Sequence, residues 1–168
     1  IRTSTLRGDQ KISFDIFLLL NEKFIPYIRT GDSFEGGRLT KLKEKKVKKL
    51  YITPGDEAKY REYIQKNIEM AYDPKSNQAL ENRASVIQGH QQSNTEAVME
   101  NPKDEVAYNT AKDGSSKLAD FIMREEASLK AVLALENTDQ NLAAHGVTVS
   151  SIAVGIAKRI GYVDPKNL

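Results

Sequence analysis

The sequence predicts an α+β protein: a small mixed-sheet α/β domain followed by an all-helical region. Three observations carry this. Apolar residues alternate at the strand period over Ile12-Ser13-Phe14-Asp15-Ile16-Phe17-Leu18. Helical periodicity then takes over, and no convincing strand follows Asp73-Pro74-Lys75-Ser76-Asn77. The charge changes sign across the same region, with net +5 over residues 1–70 and net −3 over residues 71–168. The expected organisation is an α/β regulatory domain over 1–72, a helical linker or bundle over 73–138, and the start of a further helical domain over 139–168.

The elements follow in order. After the first strand, Asn21-Glu22 reads as a turn and Phe24-Ile25-Pro26-Tyr27-Ile28 as its partner strand. Pro26 lacks an N–H and belongs at an edge or a bulge. Residues 35–46 read as a Lys-rich helix with Leu39 and Leu42 inward. Val47 and Leu50-Tyr51-Ile52 read as a short strand, and the strand–helix–strand order favours a mixed sheet. Thr53-Pro54 reads as N-cap and first helical position. Tyr60, Ile64 and Ile68 form the stripe of the helix that follows.

Beyond the boundary, residues 80–91 and 94–99 read as helical, and Asn101-Pro102-Lys103-Asp104 punctuates them. Residues 106–124 are periodic, with Gly114 weakening the middle. Residues 127–135 make a short helix. The last helix is the most legible: Val149, Ile152, Ala153, Ile156, Ala157 and Ile160 are its apolar face, and Lys158 and Arg159 favour its C-terminal dipole. Gly161 is the expected C-cap. Asp164-Pro165 reads as the opening of another helix, which suggests a chain cut from something longer.

Composition excludes several chemistries. There is no cysteine, so no disulfide and no thiolate nucleophile; a reducing, cytoplasmic location is the expectation. No apolar run approaches the roughly 18 residues of a membrane span. Nucleophile elbows, catalytic triads and His-Glu-x-x-His are absent. Gly31-Asp32-Ser33-Phe34-Glu35-Gly36-Gly37 lacks the Gly-Lys-Ser/Thr ending of a phosphate-binding loop. Lys41, Lys43, Lys45, Lys46, Lys48 and Lys49 could together hold an anion, but no aromatic residues interleave to stack on bases, so nucleic acid is not the expected partner. Of the two histidines, His90 sits in a polar stretch and reads as exposed. Glu125-Glu126, at a helix junction, reads as surface.

His145 leads further. Leu142-Ala143-Ala144-His145-Gly146-Val147-Thr148-Val149, running on through Ile156-Ala157-Lys158-Arg159-Ile160-Gly161, resembles the first catalytic-domain helix of the HD-GYP family of bacterial cyclic di-GMP phosphodiesterases. The helices from Asn101-Pro102 onward resemble the segment leading into that domain. The resemblance implies a two- or three-metal centre, commonly iron, that activates water against a phosphodiester, with His145 as a metal-site residue. Asp139 matches an acidic residue that often opens the segment. Asn141 stands where three-metal members can have an acidic ligand, and Gly146 where a small hydroxyl residue is common. The His-Asp pair and the Gly-Tyr-Pro motif occur nowhere in the sequence, and Gly161-Tyr162 is followed by Val163. The expectation is therefore a regulatory, homodimerising region of a cyclic di-GMP phosphodiesterase, catalytically incomplete, whose metal would be iron or another divalent ion in a longer parent carrying a downstream catalytic domain. The alternatives are a free-standing interaction adaptor and an anion-binding module built on the Lys-rich helix.

Overall fold

The structure is a computed structural model that describes residues 1–8, 10–35, 37–47, 49–135 and 142–162, without the side chains of Ser4 and Lys43. It divides into two compact units, Ile1–Glu69 and Met70–Leu168.

In the first unit, strands β1 (Ile16–Leu20) and β2 (Lys23–Ile28) form an antiparallel hairpin. Asn21 and Glu22 both take positive φ, 48° and 63°, as a two-residue turn matched to strand twist requires. Pro26 sits opposite Phe17, beside the register shift between Ile16 and Phe17. Its missing N–H therefore falls at an irregularity, as expected. Asp15 closes the base of the hairpin: its carboxylate accepts from the Thr30 N–H at 2.8 Å and the Arg29 guanidinium at 2.9 Å. The Thr30 N–H, then Arg29, hold that carboxyl below its usual range.

The α+β class holds, but the sheet is not mixed. β2 leads through α1 (Arg38–Glu44) to Tyr51, which exchanges backbone hydrogen bonds with Phe17 at 2.8 and 2.9 Å. That crossover delivers the chain to the far side of β1 rather than beside β2, so β1 separates the two segments that run alike. Every pairing among the described residues is antiparallel, and residues 47–52 contribute single bridges instead of a strand. The core beneath consists of large side chains: Ile12, Phe14, Ile16, Ile28, Phe34 and Leu50 are fully buried. Tyr60 and Tyr63 of α2 (Glu57–Tyr72) meet the Phe14 ring edge-on, at 5.6 and 5.5 Å between centroids. Thr53-Pro54 does start this helix, through a 3-10 turn at Pro54–Asp56. The Thr53 hydroxyl donates to the Asp56 carboxylate, however, and caps no backbone N–H.

The second unit is helical. α3 (Leu80–Glu100) runs unbroken through both helical stretches read from the sequence. It packs on α4 (Glu105–Arg124), α5 (Ser128–Ala134) and α6 (Leu142–Arg159), and α6 also packs on α4 and α5. Asp104 caps α4, its Oδ1 accepting from the Val106 and Ala107 N–H groups at 2.9 and 3.1 Å. Gly161 ends α6 with φ 82°, and the Tyr162 N–H donates to the Ala157 carbonyl at 2.9 Å, the Schellman arrangement. Gly114 does not weaken α4. It lets α4 approach α3 so closely that a Cβ there would overlap the Gln91 amide. No helix among the described residues is long and apolar enough to cross a membrane.

Candidate functional site

α6 brings together most of what the sequence singled out. Its inner face carries small side chains: Ala143, Ala144, Val147, Ser151, Val154 and Ala157 are buried. Gly155 lies so close to α5 that a Cβ would strike the Leu129 side chain. Small residues let α6 sit close on its neighbours, and its large apolar residues are consequently left outside. Leu142, Val149, Ile152, Ile156 and Ile160 are exposed, Ile156 at 58% and Ile160 at 76%. Residues 142, 145, 149, 152 and 156 alternate spacings of three and four, which is the spacing of a helix–helix seam. His145 is the polar member of this line and is exposed.

The described residues do not fit a metal centre. No group of three or more His, Cys, Asp or Glu among them could hold an ion. His145 can supply one ligand at most. Asp139 and Asn141 lie outside the described residues, as do Asp164 and Pro165.

The described lysines of the cluster stand on different elements. Lys41 lies on α1, which ends at Glu44. Lys45 and Lys46 form the turn beyond it, Lys46 with φ 55°. Lys49 pairs in a bridge with Arg2. These four are exposed; Lys48 and the Lys43 side chain lie outside the described residues.

Below α6 is a polar knot that the sequence did not announce. Arg83 is buried, 5% exposed at its side chain, and its guanidinium forms a bidentate pair with Glu125 at 2.6 and 2.9 Å. Its Nε donates to the Ala71 carbonyl at 2.7 Å, and the Phe121 ring lies 5.3 Å below it. Lys158 reaches the end of α4, donating to the Ile122 and Glu125 carbonyls at 2.9 and 3.3 Å. Ser128 donates to the same Glu125 carbonyl at 2.6 Å. The last turn of α4 is thus capped by a cation from α6. Glu125 is a structural ion-pair partner, not a surface charge. The only sequence signal was a pair of acidic residues at a helix end, where a carboxylate is unfavourable unless a cation meets it. His90 is likewise half-buried. Asn94 lies 3.3 Å from its Nδ1, and burial, then the nearby Lys117 charge, lower its pKa.

Among solved structures, the chain matches Bd1817, described as an HDG"Y"P protein from Bdellovibrio bacteriovorus, at 50% sequence identity over 99% of this chain and with a TM-score of 0.86. This match supports assigning the chain to the HD-GYP family. It spans 55% of the length of that HD-GYP relative. No family model and no curated protein matches it.

Proposed function

We propose that this chain is the regulatory and dimerising region of a metal-dependent cyclic di-GMP phosphodiesterase acting in the cytoplasm. Residues 1–72 would receive a signal or a partner. Residues 73–138 would carry its state through the helical bundle, and residues 139–168 would begin the HD-GYP helical domain. The observation that carries this reading is the outward apolar line of α6 with His145 set within it. A helix that turns its largest side chains away from its own bundle is built to be covered by something else. The 50% identity to an HD-GYP protein supports the same assignment. No catalytic step is assigned to the described residues, because they hold too few ligands for a metal and the sequence has neither the His-Asp pair nor Gly-Tyr-Pro.

The test measures cyclic di-GMP hydrolysis with Fe(II) or Mn(II) present, by residues 1–168 alone and with any segment that follows Leu168 in the reading frame. Turnover only with a following segment that contains both motifs is the expected result. Turnover by residues 1–168 alone would overturn the regulatory assignment. A complete chain with both motifs and no turnover would overturn the phosphodiesterase assignment.

A further inference from the structure

Helices α3, α4 and α6 do not close on one another along their whole length. α4 is tightest against α3 at Gly114, where Gln91 is clamped: its Nε2 donates to Ser115 Oγ at 2.7 Å and to the Ala111 carbonyl at 3.3 Å. Next to this point the three helices enclose a cleft of about 540 Å³. The third wall is α6, which contributes Ser150 and Ala153 where a leucine would fill the space. A concave, mainly apolar space of several hundred Å³ with a few fixed polar groups has the dimensions of a small-molecule site.

The chemistry of the walls narrows the ligand. Val98, Leu118 and Val154 give the cleft an apolar floor. The hydroxyls of Thr95, Ser115 and Ser150 spend their protons on backbone carbonyls of their own helices, at 2.9 Å in each case. These groups are satisfied without a ligand and demand no donor from it. At the rim, Tyr108 and Lys112 stand one turn apart on α4, both exposed. Among the described residues, Lys112 is the only charged one lining the cleft, and it has no ion-pair partner there. No Asp or Glu among the described residues lines the space.

We propose that this cleft binds a small amphipathic carboxylic acid, with its alkyl or aryl body against Val98, Leu118 and Val154 and its carboxylate at Lys112 and Tyr108. The site does not rest on the functional reading above, because binding is read directly on this chain.

The test is calorimetric titration of the full 168-residue chain with decanoate, and with decanol as the uncharged counterpart. Saturable 1:1 binding of decanoate, tighter than decanol, is expected. Ala153→Trp fills the cleft from an exposed position of α6 and should weaken decanoate at least about tenfold, a loss of roughly 1.4 kcal/mol. Lys112→Gln should weaken it about two- to fivefold, the range of an exposed ion pair, and abolish its salt dependence. Ile156→Glu, on the outer line of α6, should leave the affinity unchanged. Absence of saturable binding, equal affinity for decanol, or an unchanged affinity in Lys112→Gln would overturn the proposal. These last measurements hold even if the Trp variant fails to fold.

Discussion

The two units bury different kinds of side chain. The first packs aromatic rings and branched aliphatics against one another: Phe14, Phe34, Ile12, Ile16, Ile28 and Leu50 are all at most 2% exposed. The second mixes sizes, with Ala71, Ala84, Ala119, Ala131, Ala143, Ala144 and Ala157 buried beside Ile87, Leu118, Phe121, Ile122, Val132 and the Arg83–Glu125 pair. Burying a large aliphatic or aromatic side chain is worth about 1.5–3 kcal/mol, and an alanine methyl far less. The first unit buries these rings and branched chains but leaves Leu19, Leu20, Phe24 and Ile25 of its hairpin exposed. The second keeps several of its largest apolar residues, Ile152, Ile156 and Ile160, on an outer surface. The units differ in where their exposed apolar residues stand: around the hairpin turn in the first, and along one line of α6 in the second.

The comparison is broken most severely at Phe14. Phe14→Ala removes a ring that two tyrosines meet edge-on and leaves a cavity where the hairpin, α1 and α2 supply the core. A loss of about 4 kcal/mol is expected, within the 3–5 kcal/mol range of such truncations. Urea unfolding followed by tyrosine fluorescence and by far-ultraviolet dichroism measures it. A loss below about 1 kcal/mol would mean that this core is not the compact one described.

The corresponding weak point of the second unit is polar. Glu125→Ala strands the Arg83 guanidinium, 5% exposed, with the Ala71 carbonyl as its remaining acceptor among the described residues. Unpairing a buried charge costs about 3 kcal/mol or more. The double variant Arg83→Met with Glu125→Leu removes both charges and should recover most of that loss. Denaturation of the three proteins measures the coupling, and equal stability of the single and double variants would sink the account.

These sites also show what a sequence displays and what it hides. The hairpin, the turn at Asn21-Glu22, the place of Pro26 and the C-cap at Gly161 follow from local rules, because strand period, missing donors and left-handed φ act within a few residues. The α6 line was legible for the same reason. That the Ile152, Ile156 and Ile160 face would stand partly exposed was expected too, and all three are exposed. Periodicity marks an apolar face, but here the close approach at Gly155 selects the small-residue face for the bundle. The sheet order depended on where α1 delivers Tyr51, a matter of tertiary packing. Arg83 and Glu125 are 42 residues apart, and nothing local links them. At the site itself, His145 could be read only through family resemblance, since one histidine has no spacing to interpret.

A smaller effect distinguishes the units by pH. His90, half-buried on α3, has a pKa lowered by burial and by Lys117. The folded state thus resists protonation that the unfolded chain accepts at about pH 6.5. Stability is full above that pH and is lost as pH falls toward the depressed folded value. The slope can reach at most about 1.4 kcal/mol per pH unit from this one group. His90→Gln should flatten stability between pH 6.5 and 5, as judged by thermal melts. An unchanged slope would place the pH sensitivity elsewhere.

The smallest change in stability is expected where the apolar residue is already outside. Ile156→Glu, at 58% exposure, should alter the folding free energy of the monomer by no more than about 0.5 kcal/mol. The same substitution on an inner position such as Val154, which is 7% exposed, would bury a carboxylate and unfold the bundle. Self-association should respond in the opposite order. If α6 pairs two copies through the 149–152–156 line, the parent chain forms a concentration-dependent dimer and Ile156→Glu shifts it to monomer, because the seam would then bring two carboxylates into an apolar contact. Light scattering across a range of concentrations reads both states. A parent chain that stays monomeric at high concentration leaves the outer face of α6 to a different partner and removes the dimerising half of the proposed function, while the unchanged stability of Ile156→Glu would still identify that face as one the bundle does not use.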